Sequence, residues 1–265
     1  MQVRNPQIKY DGLPVHYFGG RPVATHLCNG LSFLFPDGEH YFIRAIKRYD
    51  NEITDPELRR RISLFAGQEK MHAHEHERVF KILREQGFKF DLYMKWYKFT
   101  AYGIIERLEP RAVSLAVTAA LEHFTAIMAE AALGSDLLDD VHPSMRRLFM
   151  WHSAEELEHK SVAFDVYQAV NGSYALRIFG LVSGSMKLLF YWITAMFWLL
   201  AQDRELTVRN FFGGFARIQS RFPVLRTVFL RGIREYLKPG FHPDKNDNYH
   251  LAKTYLARTE SREPV

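Results

Sequence analysis

Two short motifs of the same form constrain what this chain can fold into. Glu69 precedes His72 by three residues, and Glu156 precedes His159 by three residues. Residues three apart on a helix lie on one face, so each motif directs a carboxylate and an imidazole to the same side. Apolar residues flank both motifs at spacings of three and four, which predicts two amphipathic helices with the motif on the buried stripe.

A single glutamate occupies an apolar stripe in the helix predicted before each motif. These residues are Glu39 and Glu122. The four predicted helices span about 31–49, 55–86, 111–134 and 143–170. An unpaired carboxylate in an apolar stripe is costly, so its presence needs a compensating partner. The order Glu, Glu-x-x-His, Glu, Glu-x-x-His is that of a di-metal carboxylate site in a four-helix bundle.

This order predicts a metal site in which six side chains act as ligands. They are Glu39, Glu69, His72, Glu122, Glu156 and His159. Four carboxylates and two imidazoles suit two iron ions, with manganese or zinc as alternatives. The opposing interpretation is a buried polar network that holds no metal.

Three further ionisable residues lie close to the predicted ligands. His76 is one turn beyond His72, and His152 is one turn before Glu156. Each is a candidate for an additional ligand, a hydrogen-bond partner of a ligand, or a proton carrier. Glu155 competes with Glu156 as a ligand because it lies four residues from His159.

The helical patterns predict an all-α protein: a ferritin-like four-helix bundle with additional C-terminal helices. The predicted parts are an extended arm at 1–30, the metal-binding bundle at 31–172, apolar and basic helices at 173–240 packed on the bundle or on a membrane, and a loosely ordered tail at 241–265. The arm is rich in proline, glycine and aromatic residues, which favours turns.

Composition and motifs exclude several other classes of protein. Cys28 is the one cysteine, so neither an intramolecular disulfide nor a cysteine-based zinc site is possible. The sequence has no glycine-rich phosphate loop and no Gly-x-Ser-x-Gly motif. The N-terminal residues lack the apolar core of a signal peptide. We therefore expect a cytoplasmic protein.

The C-terminal third leaves the relation to membranes open. Residues 178–202 are almost uncharged and long enough to span a bilayer. A basic segment follows, in a chain whose formal net charge is +5. Its arginines alternate with apolar residues, which favours an amphipathic helix over a nucleic-acid site. Peripheral or integral association with an inner membrane and a buried fifth helix are the two alternatives.

The motifs also resemble those of a known bacterial family. The matching stretches are 35–39, 67–72 with His76, and 151–160, within a resemblance that covers about residues 10–240. The family is described as predicted metal-dependent hydrolases, and in broader outline the pattern is similar to ferritin-like di-iron carboxylate proteins. The resemblance implies a helical, metal-binding protein with hydrolase activity.

Three functions remain open at this stage. Ligand type favours a di-iron enzyme that uses O₂ to oxidise or hydroxylate a small hydrophobic or lipid-like substrate. The resemblance favours a hydrolase that uses a metal-bound water as the nucleophile. The third function is metal storage without an organic substrate, for which a large oligomer is expected, whereas an enzyme is expected to be a monomer or a homodimer.

Overall fold

The computed structural model describes residues 1–221 and 225–260, and the regular elements within these ranges are helical. The only strand-like feature of this described part is an isolated antiparallel bridge between Phe18 and Val141. The helices are α1 Pro22–Ser32, α2 Phe35–Lys47, α3 Pro56–Glu85, α4 Asp91–Lys98, α5 Glu106–Leu108, α6 Arg111–Gly134, α7 Pro143–His159, α8 Val162–Val170, α9 Tyr174–Leu200, α10 Val208–Arg221, α11 Arg231–Tyr236 and α12 Tyr249–Glu260. Two π-helical segments, Phe99–Ile105 and Leu225–Leu230, and one short 3-10 helix, Pro243–Lys245, complete the described elements. The all-α prediction is therefore confirmed.

The predicted ligands lie on four helices that pack around one core: α2, α3, α6 and α7. Local sequence signals fix the longest of them, α3. The Asp55 carboxylate accepts a hydrogen bond from the backbone N–H of Glu57 at 2.9 Å, and Pro56 occupies the first turn. Gly87 follows the helix with a φ of +94°, a conformation that glycine adopts without strain.

The last helix predicted for the bundle is broken in two. Its continuous pattern over 143–170 becomes α7 and α8, with the chain turning at Lys160 and Ser161. The Lys160 ammonium is buried and donates to the Asn246 carbonyl at 2.6 Å and to the Asn248 side chain at 2.7 Å. These partners lie almost ninety residues further along the chain, so helical periodicity does not reveal the break.

Both termini contain more helix than the sequence predicted. Within the predicted extended arm, α1 starts at Pro22 and packs against α9 so closely that a Cβ on Gly30 would lie 2.9 Å from the Met196 backbone nitrogen. Within the predicted loose tail, α12 packs on α6 and α7 through Ala252 and Leu256. Both short helices gain stability from tertiary packing.

Helix α9 lies along α6 and α1. Contact with α6 depends on Gly180, because a Cβ there would lie 2.5 Å from the Ala116 carbonyl carbon. By length and composition alone, both α6 and α9 could cross a membrane. Most of α6 is buried within the protein, whereas most of the apolar stretch of α9 is not.

Candidate metal centre

The fold brings the predicted ligands to one buried place. Helix α2 supplies Glu39, α3 supplies two residues, α6 supplies Glu122 and α7 supplies two residues and the additional His152. All of them are buried: Glu39, Glu69, His72, Glu122, His152, Glu156 and His159. Their role as metal ligands stays a prediction, but their convergence is a property of the fold.

One group of donor atoms surrounds His159. Its Nε2 atom lies 3.1 Å from Glu69 Oε1, 3.6 Å from Glu122 Oε2 and 3.5 Å from Glu156 Oε1. Three carboxylates thus face one imidazole nitrogen, a donor set that hard and borderline divalent cations accept. Glu69, Glu156 and His159 each place one donor atom within 4.8 Å of the others.

A second group adjoins the first and shares Glu156 with it. His152 Nε2 lies 3.0 Å from Glu156 Oε1 and 3.8 Å from Glu39 Oε1. His72 Nδ1 lies 3.7 Å from the same Glu156 oxygen. Donor atoms of Glu39, His72 and His152 also lie within 4.8 Å of one another. Glu156 thus lies between the two groups and would be available to metal ions held by either.

The unsatisfied atoms of this centre test whether metal ions fit it. Both carboxylate oxygens of Glu39, Glu69 and Glu122 are buried without a hydrogen-bond partner, as is Glu156 Oε2. Two of the imidazole atoms that face the carboxylates, His72 Nδ1 and His159 Nε2, are also without one. Each such atom destabilises a fold unless something compensates it. Two divalent cations would compensate all of them, so the residues present fit a dinuclear metal site.

The same burial changes the protonation of the carboxylates when no cation is present. Burial, with the charge of Glu69, raises the pKa of Glu39 well above its ordinary range. Burial, with the charge of Glu156, does the same to the pKa of Glu122. Burial also acts to raise the pKa of Glu156, but the charges of His159 and His152, together with their hydrogen bonds to this carboxylate, outweigh it and hold this pKa well below the usual value.

Hydrogen bonds behind His159 set which of its nitrogens faces the carboxylates. Its Nδ1 lies 3.2 Å from Gln68 Oε1. The amide group of Gln68 is oriented by its own donations to Gln2 O at 2.9 Å and to Glu158 Oε2 at 2.8 Å. An amide oxygen can only accept, so Nδ1 carries a hydrogen and Nε2 is left for a metal ion.

Glu155 and Glu156, the competing candidates, take different positions. Glu155 Oε2 accepts a hydrogen bond from His72 Nε2 at 3.1 Å, and Arg4 donates to Glu155 Oε1 at 3.1 Å. Burial raises the pKa of Glu155 to about 7, although the hydrogen bond from Arg4 opposes this. Glu155 therefore lies behind His72, directing its Nδ1 inward, and Glu156 is the residue that faces the donor groups.

His76 and His152 also separate into two positions. His152 directs Nε2 toward Glu156, and its Nδ1 lies 2.9 Å from His76 Nε2. His76 lies behind His152 and contacts the carboxylates only through it. The centroid of the Phe35 ring lies 4.7 Å from that of His76 and 4.6 Å from that of His152. His152 is thus placed to act as a seventh ligand, and His76 to orient it.

Two cavities reach the centre. The larger has a volume of about 630 Å³ and extends to His152 and Glu156. Its walls are mainly apolar and include Leu27, Leu31, Met128 and Phe149. The smaller has a volume of about 90 Å³, reaches Glu39, and lies beneath α9.

Comparison with known proteins agrees with this geometry. A family model described as "predicted metal-dependent hydrolase" matches residues 2–247. The chain belongs to this family. No curated protein and no solved structure matches the chain significantly. Membership in this family is consistent with the buried groups of carboxylates and imidazoles that could hold a metal ion, and the ferritin-like character of the bundle stays a prediction.

Sequence reasoning missed the residues that contact the predicted ligands from outside the centre. Gln68 and Arg4 act through hydrogen bonds, and Phe35 acts through ring contacts. Gln68 offered one signal, because it lies one turn before His72 and so shares the buried face of α3. Arg4 offered none, since its partner is about 150 residues away.

Proposed function

We propose that the protein is a dinuclear metal-dependent hydrolase that cleaves a hydrophobic substrate bound in the larger cavity. One observation carries this proposal: an apolar cavity of about 630 Å³ reaches, at His152 and Glu156, a centre whose buried carboxylate and imidazole atoms largely have no hydrogen-bond partner. That volume is typical of a pocket for a small organic ligand. The family description favours hydrolysis over the oxidation that ligand type alone favours.

Each cation would have its own set of protein ligands. Glu69, Glu122 and His159 would hold one, and Glu39, His72 and His152 the other, with Glu156 between them. When bound, the cations supply Lewis acidity and lower the pKa of water enough to make it a nucleophile at neutral pH. Their charge also offsets that of the four buried carboxylates.

The chain's own residues orient a predicted metal ligand and exclude water from the substrate. His152 can bind through Nε2 only if its Nδ1 carries the hydrogen, which it then donates to His76 Nε2. Burial and the nearby His152 lower the pKa of His76 well below its ordinary value, so His76 is neutral at pH 7 and accepts. His76 is therefore an orienting residue in this proposal. The apolar walls of the cavity keep bulk water from the substrate.

The test begins with the metal content of the purified protein and its hydrolysis of esters of increasing acyl length under anaerobic conditions. Chelation should abolish hydrolysis, and zinc or manganese should restore it. Leu27→Trp, which narrows the larger cavity and not the smaller one, should reduce cleavage of long-chain esters by about tenfold or more while metal content stays at the wild-type level. A matched change at an exposed leucine outside both cavities, Leu108→Trp, should leave both unchanged. Metal-loaded protein that cleaves no ester or amide would overturn the proposal.

Oxidation by O₂ is the second candidate, favoured by the ligand set. Four carboxylates and three imidazoles, all buried, suit iron. Under this function, the protein purifies with about two iron ions per chain, a count set by the two donor groups, and its reduced form consumes O₂ only when a hydrophobic substrate is present. Substrate-dependent O₂ consumption without anaerobic hydrolysis would replace the hydrolase proposal with this one.

Metal storage without a substrate is disfavoured by the larger cavity. A store needs ligands and a route for ions, whereas this cavity is apolar and large. Size-exclusion chromatography separates the two, because a storage cage elutes as a large oligomer and the proposed enzyme as a monomer or dimer.

A further inference from the structure

The outward side of α9 carries a continuous apolar surface. Its exposed residues include Phe179 at 57%, Met186 at 67% and Phe190 at 52% of their full accessibility. Exposed apolar residues of α4 and the π-helical segment after it extend this surface. We call the set the apolar face: Phe179, Val182, Met186, Phe190, Ile193 and Phe197 with Leu92, Trp96 and Phe99.

The length and composition of the apolar face set it apart from the outward side of α3. From Phe179 to Phe197 it runs about 27 Å, at 1.5 Å per residue, and each outward residue named on α9 is apolar. The outward side of α3 is charged instead, with Lys70, Glu77 and Lys81 exposed. A helix whose outer side faces water normally resembles α3. A long exposed apolar stripe indicates that something other than water covers it.

Ring contacts show that the elements of the apolar face are continuous with one another. Trp96 of α4 lies 5.9 Å from Phe190 of α9 between ring centroids. At the far end of α9, Phe197 lies 6.2 Å from Phe211 of α10. The Trp198 indole there donates to the Lys89 carbonyl at 2.9 Å. An indole with an apolar body and a satisfied N–H is common at a membrane–water boundary.

The inner side of α9 shows that this helix is not free to span a bilayer alone. Gly180 packs on the Ala116 backbone of α6, and Gly184 packs on Leu121. Lys187, the one charged residue within the apolar stretch, turns inward to an ion pair with Glu109. Only the outward side of α9 can therefore contact lipid. A helix that lies in the plane of a membrane surface has this geometry.

Charge decides between a membrane and a second copy of the chain as the partner. Lys89, Lys95, Lys98, Arg107, Arg204 and Arg209 are exposed on α4, α5, α10 and the adjoining turns. Exposed acidic residues in the same segments are Asp91 and Glu205. Two copies meeting through this surface would bring like-charged margins together, which is unfavourable. An anionic lipid surface is complementary to the same margins.

We propose that the apolar face docks on an anionic bilayer, with α9 and α4 lying in the interface and the basic margin contacting lipid headgroups. The protein is then a peripheral membrane protein that inserts one side, and α9 does not cross the bilayer. This inference does not depend on which reaction the metal centre performs.

The test is flotation of the full chain with vesicles of phosphatidylcholine alone or mixed with phosphatidylglycerol. Wild-type protein should float with the anionic vesicles, and added salt should weaken its binding. Met186→Glu/Phe190→Glu should reduce bound protein by about tenfold or more, because two carboxylates enter the apolar face. Ser63→Glu/His74→Glu adds two carboxylates on the outward side of α3 and should bind as wild type does.

Wild-type protein that fails to float with anionic vesicles would overturn the proposal. If that protein is also a dimer by light scattering, and Met186→Glu/Phe190→Glu converts it to a monomer, the partner of the apolar face is a second copy. Metal content and circular dichroism of each variant establish that it is folded, so that lost binding is not attributed to unfolding.

Lys89→Glu/Lys95→Glu should weaken binding to anionic vesicles and make the remaining binding less sensitive to salt.

Discussion

At the scale of single residues, the metal centre depends on atoms that never face it. Gln68 accepts from His159 Nδ1 and is held by Gln2 and Glu158. Removing the acceptor frees the imidazole to rotate or to protonate the other nitrogen. Gln68→Leu keeps the size of the side chain and removes the hydrogen bonds of its amide group. It therefore changes the orientation of His159 while the His159 side chain itself is retained.

We predict that Gln68→Leu lowers metal affinity by about 10- to 100-fold, the usual effect of losing a hydrogen bond to a metal-ligating histidine. Competition with a chromogenic chelator measures the affinity. Gln86→Leu is the control. Gln86 directly follows α3 and donates to the Leu13 carbonyl, so this substitution should not affect metal binding. Equal affinity in Gln68→Leu and wild type would show that Gln68 does not orient His159.

At the residue scale, the sequence predicted which side chains face the centre only where a helical repeat specifies it. The stripes of α3 and α7 brought Glu69, His72, Glu156 and His159 together correctly. Both Glu155 and Glu156 are compatible with His159 along a helix, and only the repeated Glu-x-x-His spacing favoured Glu156. Their difference comes from the partners Arg4 and His72, which belong to other parts of the chain.

At the scale of elements, the contact between α9 and α6 holds the apolar C-terminal third to the bundle. Gly180 is the tightest point of this contact, and α6 carries Glu122. We predict that Gly180→Ala lowers the free energy of unfolding by about 1–3 kcal/mol through overpacking. Urea denaturation followed by circular dichroism measures the change.

The matched control is Gly213→Ala in α10, where a Cβ meets nothing within 4 Å. This change should be neutral or stabilise by up to about 1 kcal/mol, since alanine favours helix more than glycine does. If both substitutions proved equally harmless, α9 would not be packed against α6 as described.

Element boundaries were predictable from sequence where local signals set them. Pro110 and the residues after Gly134 bound α6 as expected, and Asp55 with Pro56 begins α3. The break between α7 and α8 was not predictable, because buried Lys160 finds its partners in the distant segment 246–248. The predicted separation of residues 173–240 as an apolar and basic part is not tested by these contacts.

At the scale of the whole molecule, a cluster of buried carboxylates links stability to pH and to metal. In metal-free protein, the pKa values of Glu39 and Glu122 are raised well above the ordinary range, and that of His159 is raised well above its usual value. The folded state therefore holds protons that the unfolded state has released. Stability from a raised pKa is present at low pH and is lost as pH rises toward the folded pKa.

We predict that metal-free protein becomes less stable between about pH 6.5 and 8.5, by about 1.4 kcal/mol per pH unit for each extra proton held. Below this window, the lowered pKa values of His72 and His76 act in the opposite direction. Metal-loaded protein should show a much smaller loss, because bound cations keep the carboxylates ionised. Urea unfolding at three pH values, with and without chelator, measures both. Parallel pH profiles would show that no cation binds these groups.

The two cavities differ sevenfold in volume, and this difference determines where a substrate and a small second reactant can bind. A cavity of about 90 Å³ is large enough for several molecules of the size of water. It ends at Glu39, with Tyr97 and Tyr102 in its wall joined by a hydrogen bond of 2.6 Å. The larger cavity ends at His152 and Glu156. A substrate that fills the larger space therefore leaves the smaller one free, and a small second reactant need not compete with it for room.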